Sequence, residues 1–327
     1  MPARPSDSVS YLAQELRSAR LSTCTNCGAE LIGEFCHACG QKRFVQSDRS
    51  FRHLLHQFMS SATDLDGRIW RTVRALLFHP GLLSREYFEG RRARWISPVS
   101  LFLAVSVLYF VAPFHGGDLS PQFNHQVSLR LRMLALGPGD VLTERLRSDF
   151  EPMHTPFTEH LVDERVRARD AAARKASNGA NGYSYRDYRL AYDARADDVS
   201  KALVILHMPF AALALMLVFL RQHRYFAEHF VVALHFYAFA MLLLQIVVQM
   251  RSLILVVLPP PWGPPEATWD WIMRILLVLY AVIGLRRAYA VGWIGATAAA
   301  TVMLVTLIET NQIVFRTVQF LITFALS

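Results

Sequence analysis

Beyond Cys39 the chain has no cysteine; its only four fall between positions 24 and 39, which leaves the remainder without any disulfide. The first 20 residues lack the 7–15-residue apolar run of a cleavable signal peptide, so the amino-terminal region is expected to stay on the side where it is made. No G-x-S-x-G, H-E-x-x-H, Walker or Gly-rich nucleotide motif occurs, which weakens an enzymatic assignment without removing it. Acidic residues are outnumbered, 26 against 34 Lys and Arg, giving a net charge of +8. The arginines cluster beside apolar blocks, and this placement points to anionic lipid headgroups and away from nucleic acid as the electrostatic partner.

What is present is concentrated. Residues 24–40 read C-T-N-C-G-A-E-L-I-G-E-F-C-H-A-C-G, two C-x-x-C-G knuckles with eight residues between Cys27 and Cys36. Thiolates are soft ligands, and four of them suit a closed tetrahedral Zn²⁺ with a structural role. Cys24, Cys27, Cys36 and Cys39 are therefore the expected ligands, with Gly28 and Gly40 permitting the tight turns. Two disulfides or four free thiols are the alternatives. His37 lies within the second knuckle but is superfluous beside four cysteines. So short a ribbon has no core of its own, and metal binding would supply most of its folding energy. Zinc thiolates imply a reducing, cytosolic setting.

The rest is strongly apolar, at 53% hydrophobic residues overall. Residues 96–114, 203–220, 230–250, 269–285 and 288–308 each approach the length of about 20 residues that crosses a bilayer. The fourth stretch contains Arg274. A carboxy-terminal segment, 309–327, carries Gln312, Arg316, Gln319 and Thr323 as one helical stripe and reads as an interfacial helix or a sixth span. Short loops place Arg85, Arg91, Arg92 and Arg94 before the first stretch, Arg221 and Arg224 after the second, and Arg286 and Arg287 after the fourth. The positive-inside rule then puts the amino terminus in the cytoplasm. The fold class expected is an all-α polytopic membrane protein of about five transmembrane helices with a small amino-terminal zinc ribbon.

Between these parts lie a flexible amino terminus (1–22), the ribbon (23–45), a cytoplasmic amphipathic helical neck (48–95) and a periplasmic helical segment (115–202). In the neck, Phe51, Leu54, Leu55 and Phe58, and then Ile69, Trp70, Val73, Leu76 and Leu77, recur at helical spacing. Basic residues flank them, which suits a helix lying in the membrane interface, with a helix pair packed on the ribbon as the competing arrangement. Asp64 and Asp66 read as a turn and cap, with Mg²⁺ binding as the alternative. In the periplasmic segment a charged helix over 159–175 meets the break Asn178–Gly182, and a polar helix over 183–201 follows.

The run C-x-x-C-G…F-C-x-x-C-G-Q-K, then L-D-G-R…R-T…P-G…R-E-Y…G-R-R-A-R-W-I-S-P, resembles an uncharacterised family of bacterial inner-membrane proteins catalogued as a domain of unknown function. Weaker echoes continue at E-H-F-V-V-A-L-H (228–235) and G-L-R-R-A-Y (284–289). The resemblance implies a membrane protein with an amino-terminal zinc ribbon, and it assigns no catalytic residue.

Polar groups at membrane depth are costly and often functional. Arg274 and Glu309 would reach the same outer boundary and pair in a five-span topology. Glu228, His229 and His235 cluster at one end of the third stretch, and Gln245 and Gln249 lie one turn apart. Three functions follow. The first is a scaffold whose zinc ribbon and basic neck (Arg85, Arg91, Arg92, Arg94) dock a cytoplasmic protein or anionic lipid. The second is a small transporter or permease-like subunit using the intramembrane polar residues. The third is a lipid-active enzyme with His229 or Glu228 in its chemistry.

Overall fold

The computed structural model describes residues 23–43, 68–111, 155–179, 181–258 and 263–326. The terminus 1–22, the neck residues 44–67 with Phe51–Phe58, Asp64 and Asp66, the residues 112–154 and the Pro-Trp run at 259–262 lie outside them. Among the described residues the fold is helical, with no β-strand beyond two isolated antiparallel bridges, Thr23 with Glu30 and Phe35 with Lys42.

The helices are α1 (Arg68–Phe78), α2 (Leu82–Phe88), α3 (Pro98–Val111), α4 (Thr155–Ala176), α5 (Tyr185–Leu203) and α6 (His207–Val218). Then come α7 (Phe226–Val257), α8 (Glu266–Tyr289), α9 (Trp293–Glu309), a π-helical turn (Thr310–Phe315) and α10 (Arg316–Leu326). Among the described residues three helical stretches are long and apolar enough to cross a membrane, Phe226–Val257, Thr268–Tyr289 and Trp293–Leu326. In the second of them only 22% of the most apolar window is buried, so most of its hydrocarbon faces outward, as a lipid-facing helix requires.

The expectation of about five spans is met in part. The stretches 96–114 and 203–220 hold shorter apolar helices, Pro98–Tyr109 and Val204–Val218. The second opens on a 3₁₀ turn (Val204–Leu206), and a further 3₁₀ turn (Leu220–Gln222) follows α6 and leads into His223 at φ 48°. Residues 309–326 continue from α9 through the π-helical turn, and the two helices with that turn make one 34-residue apolar stretch.

Two compact units divide the chain, one drawn from residues 1–106, 219–244 and 270–297, the other from 107–218, 245–269 and 298–327. In the second unit α4 and α5 form a hairpin. Asn178 and Gly179 take positive φ at the turn (49° and 87°), where the side-chain penalty is least for Asn and Gly. Ser184 then caps α5 in a reciprocal box with Asp187. Asp187 and Asp170 titrate below the usual carboxylate range: at Asp187 the Ser184 side-chain bond leads, and at Asp170 the Tyr183 backbone N–H. Val162, Val166, Tyr188, Tyr192, Ala196 and Phe320 make the core between this hairpin and α10. The polar stripe on α10 is turned inward: Arg316, Gln319 and Thr323 are all buried, and Gln319 Nε2 donates to Ala196 O (3.2 Å).

Candidate metal centre and its docking loop

The ribbon is built twice from one local geometry. In the first knuckle Cys24 N donates to Ala29 O and Gly28 N to Cys24 O, each at 2.8 Å. In the second, Cys36 N donates to Gln41 O and Gly40 N to Cys36 O, again at 2.8 Å. Gly28 and Gly40 close the turns at φ 78° and 71°, a backbone region in which a Cβ is strained. Leu31 packs against Cys24 and Cys36 in a small core, with the partly buried Ala29 and Cys39 against it.

All four sulfurs lie within 4.8 Å of one another. Cys24 and Cys39 approach to 3.6 Å and Cys27 and Cys36 to 3.5 Å, and all four thiols are free. A tetrahedral ion with metal–sulfur bonds of about 2.3 Å needs sulfur–sulfur edges of about 3.8 Å. The donor set therefore fits one ion, shared between the knuckles. His37 is exposed.

Crowding spreads the thiol acidities. At Cys39 desolvation opposes ionisation, but hydrogen bonds from the Gln41 backbone N–H, Asn26 and the neighbouring thiols prevail and lower it to about 6. At Cys27 the Ala29 backbone N–H favours the thiolate, yet desolvation and hydrogen bonding with Cys36, Cys39 and Cys24 push it up to about 12. A cation must displace the last of these protons, so metal capture strengthens as pH rises.

The ribbon is fastened to the loop that follows α2, and one side chain does most of it. Gln41, 9% exposed, donates through Nε2 to Gly90 O (2.6 Å) and to Thr25 Oγ1 (2.9 Å). Its Oε1 accepts from Arg92 N and Ala93 N, both at 3.0 Å, and Thr25 Oγ1 also donates to Gly90 O (3.1 Å). The four bonds use the full carboxamide. Replacing Gln41 by Ala leaves Gly90 O to Thr25 Oγ1 alone and strands the Arg92 and Ala93 N–H groups, at a cost of about 1–3 kcal/mol. The metal content is expected to stay unchanged while trypsin cuts faster after Arg92 and Arg94, checked by elemental analysis and limited proteolysis of the same preparation.

The arginines singled out in the sequence surround this loop. Arg85 pairs with Glu89 (2.7 Å), and Arg91 bonds Glu86 through Nε (2.9 Å) and also pairs with Glu89. The Arg85 hydrogen bond, followed by Arg91, outweighs burial and holds the Glu89 carboxyl below its ordinary range; Glu86 holds Arg91 protonated more firmly still. Arg92 lies 3.8 Å above the Tyr87 ring. Three of the four are thus engaged inside the neck, and Arg94 is exposed. A small open pocket lies among Leu83, Tyr87, Arg91, Arg92, Trp95 and His235.

Beneath the loop, α2 is pinned to α7 and α8 by groups that the sequence scattered widely. Ser84 Oγ and His235 Nδ1 hydrogen-bond at 2.9 Å, and His229 Nδ1 and Tyr289 Oη at 2.7 Å. Tyr289 stacks on Phe219 (3.9 Å between centroids) and meets Phe88 at 5.6 Å. Arg287 Nη1 donates to Pro80 O (3.0 Å), while Arg224 lies 4.2 Å above Phe88. Glu228 is 1% exposed; it accepts from Tyr225 N (3.1 Å) and lies 3.9 Å from Arg224. Gly81, at φ 75°, lies directly against the backbone of Gly284.

Glu228, His229 and His235 are thus all buried in this unit, but each reaches a different neighbour and they form no shared ligand set. Gln245 and Gln249 are half-buried on the later part of α7. Arg274 belongs to the first unit, exposed, its guanidinium 5.4 Å from the Trp271 ring; Glu309 belongs to the second and is exposed at the end of α9.

Sequence reasoning missed Gln41, Thr25, Ser84, Tyr289 and Gly81. A signal existed for Gln41: the knuckles read C-G-A-E and C-G-Q-K, so a small Ala29 in one repeat is answered by a long polar Gln41 in the other. Residues 66–110 match a family described as Protein of unknown function (DUF3667). That stretch carries α1, α2, most of α3 and the loop gripped by Gln41. No curated protein and no solved structure matches the chain.

Proposed function

We propose that this is a multi-pass protein of the bacterial inner membrane whose cytoplasmic zinc ribbon, locked to a basic neck, is a docking platform for a protein partner. The basic loops beside the apolar stretches support a cytoplasmic amino terminus, and five spans follow if α3 and α6 complete the two shorter stretches. Zn²⁺ suits four thiolates in a closed tetrahedron, leaves no open position for hydrolysis and supplies folding energy to the ribbon.

One observation carries the docking role. Ile32 and Phe35, at the turn between the knuckles, are 84% and 61% exposed on a module that Gln41 holds in a fixed place. Exposed apolar side chains on a rigid, metal-held turn are what a partner's pocket anchors on. Replacing Ile32 and Phe35 together by Ser is expected to leave zinc content intact and to remove a specific partner from native-membrane copurifications. An unchanged set of copurified proteins would reduce the ribbon to a brace for the neck.

A further inference from the structure

The helix α1, R-I-W-R-T-V-R-A-L-L-F, buries Thr72, Ala75 and Leu76. At 100° per residue these three share one face. The exposed side carries Trp70 and Arg74 opposite the buried residues, with Arg71 and Phe78 exposed at its flank and Leu77 half-buried beside it. Trp70 and Phe78 are 80% and 72% exposed, and α1 contains three arginines and no acid.

The position of α1 is fixed as well. Thr72 Oγ1 donates to Arg68 O (2.7 Å) and accepts from Ile96 N (3.2 Å). Ile96 opens the uncharged stretch 96–114, so α1 is tied to the residue at which the chain turns apolar.

We propose that the outward face of α1 lies on an anionic bilayer surface, with Trp70 and Phe78 at the headgroup boundary and Arg71 and Arg74 against lipid phosphates. This rests on the membrane-protein assignment above and deepens it by giving the neck its lipid-facing element. Charge complementarity selects the occupant: an all-basic, aromatic face has the composition of a helix in the interface plane. Indole rings favour that depth, and arginines meet phosphates bidentately. The four arginines around the docking loop are mostly engaged with Glu86, Glu89 and Tyr87, so the lipid contact falls to α1.

The test uses the full chain reconstituted in bilayers. The fluorescence of Trp70 is isolated as the difference between wild type and Trp70→Phe, one of six tryptophans. In bilayers containing phosphatidylglycerol brominated near the headgroup, this difference signal is expected to be blue-shifted and quenched. Purely zwitterionic brominated bilayers, or Arg71→Gln with Arg74→Gln, should lose most of the quenching. A red-shifted, unquenched signal would overturn the proposal, as would a blue-shifted one that brominated lipid does not quench, which would mark a protein contact. Equal quenching in zwitterionic bilayers would overturn the anionic specificity on which it stands. Topology is read separately: a ribbon protected from protease in inside-out vesicles would refute a cytoplasmic amino terminus, whatever Trp70 reports.

Discussion

Gly81→Ala is expected to unseat α2 from α8, whereas Gly284→Ala, at the other side of the same contact, is expected to do little. At Gly81 two costs coincide. Its φ of 75° is a left-handed conformation that costs an L-residue about 1–2 kcal/mol. A Cβ there would also lie 2.2 Å from Gly284 O and 2.9 Å from Gly284 C, atoms of a backbone that cannot swing aside. At Gly284 the nearest atom to an added Cβ is Gly81 N at 3.5 Å, an ordinary contact, and Ala is favoured over Gly within a helix by about 1 kcal/mol. The pair should separate by roughly 2–4 kcal/mol. Thermal unfolding in detergent would show it as a clear drop in midpoint for Gly81→Ala alone. The Arg287–Pro80 and His229–Tyr289 bonds would loosen with it, because all fasten the same helix ends. Equal midpoints for the two variants would mean that the Gly81–Gly284 contact does not hold the neck.

Cys36→Ser is expected to have the larger reach, because it removes one of the four thiolates that would hold an ion between both knuckles. Cys36 is 2% exposed, and its sulfur faces that of Cys27 at 3.5 Å. Without a fourth thiolate the ribbon loses most of its folding energy, since no core beyond the small one around Leu31 replaces it. Gln41 then no longer presents its carboxamide to Gly90, Arg92 and Ala93. Metal content should fall to background, and trypsin should cut after Arg92 and Arg94 at least as fast as in Gln41→Ala. Acidification should mimic the variant. Protons compete for the thiolates: against the Ala29 backbone N–H, desolvation and hydrogen bonding with the neighbouring thiols push Cys27 up to about 12, while Cys39 is lowered to about 6. Metal affinity should therefore fall continuously as pH drops through neutrality, measured by competition with a chromogenic chelator. An affinity independent of pH would argue that the sulfurs are not the ligands.

The parts of this architecture that could be read from sequence are those set by near neighbours. Two C-x-x-C-G runs bring four sulfurs to one point because each knuckle closes on itself through bonds five residues apart. The Asn178–Gly179 turn is legible because few other residues accept positive φ. Apolar stretches announce helices but do not fix their length: α6 is confined between two 3₁₀ turns, so an 18-residue apolar run yields a shorter helix. The stripe of Arg316, Gln319 and Thr323 was visible as a periodicity. That it faces inward depends on Tyr188, Tyr192 and Ala196, more than a hundred residues away. Distance in sequence also hid the docking site. Gln41 reaches across 49–52 residues, Ser84 and His235 are 151 apart, and His229 and Tyr289 are 60 apart. A buried histidine reads the same from sequence whether it is a ligand, a base or a pin; here both buried histidines of α7 hydrogen-bond across to other segments of the chain.

Metal stoichiometry on the purified full-length protein tests the central claim most directly. Elemental analysis of wild type beside Cys36→Ser, each normalised to protein by amino-acid analysis, is expected to give one zinc per wild-type chain and none in the variant. Wild-type protein from zinc-replete cells with no bound metal, or with equal metal in both samples, would contradict the ribbon as a metal-held clamp on the neck.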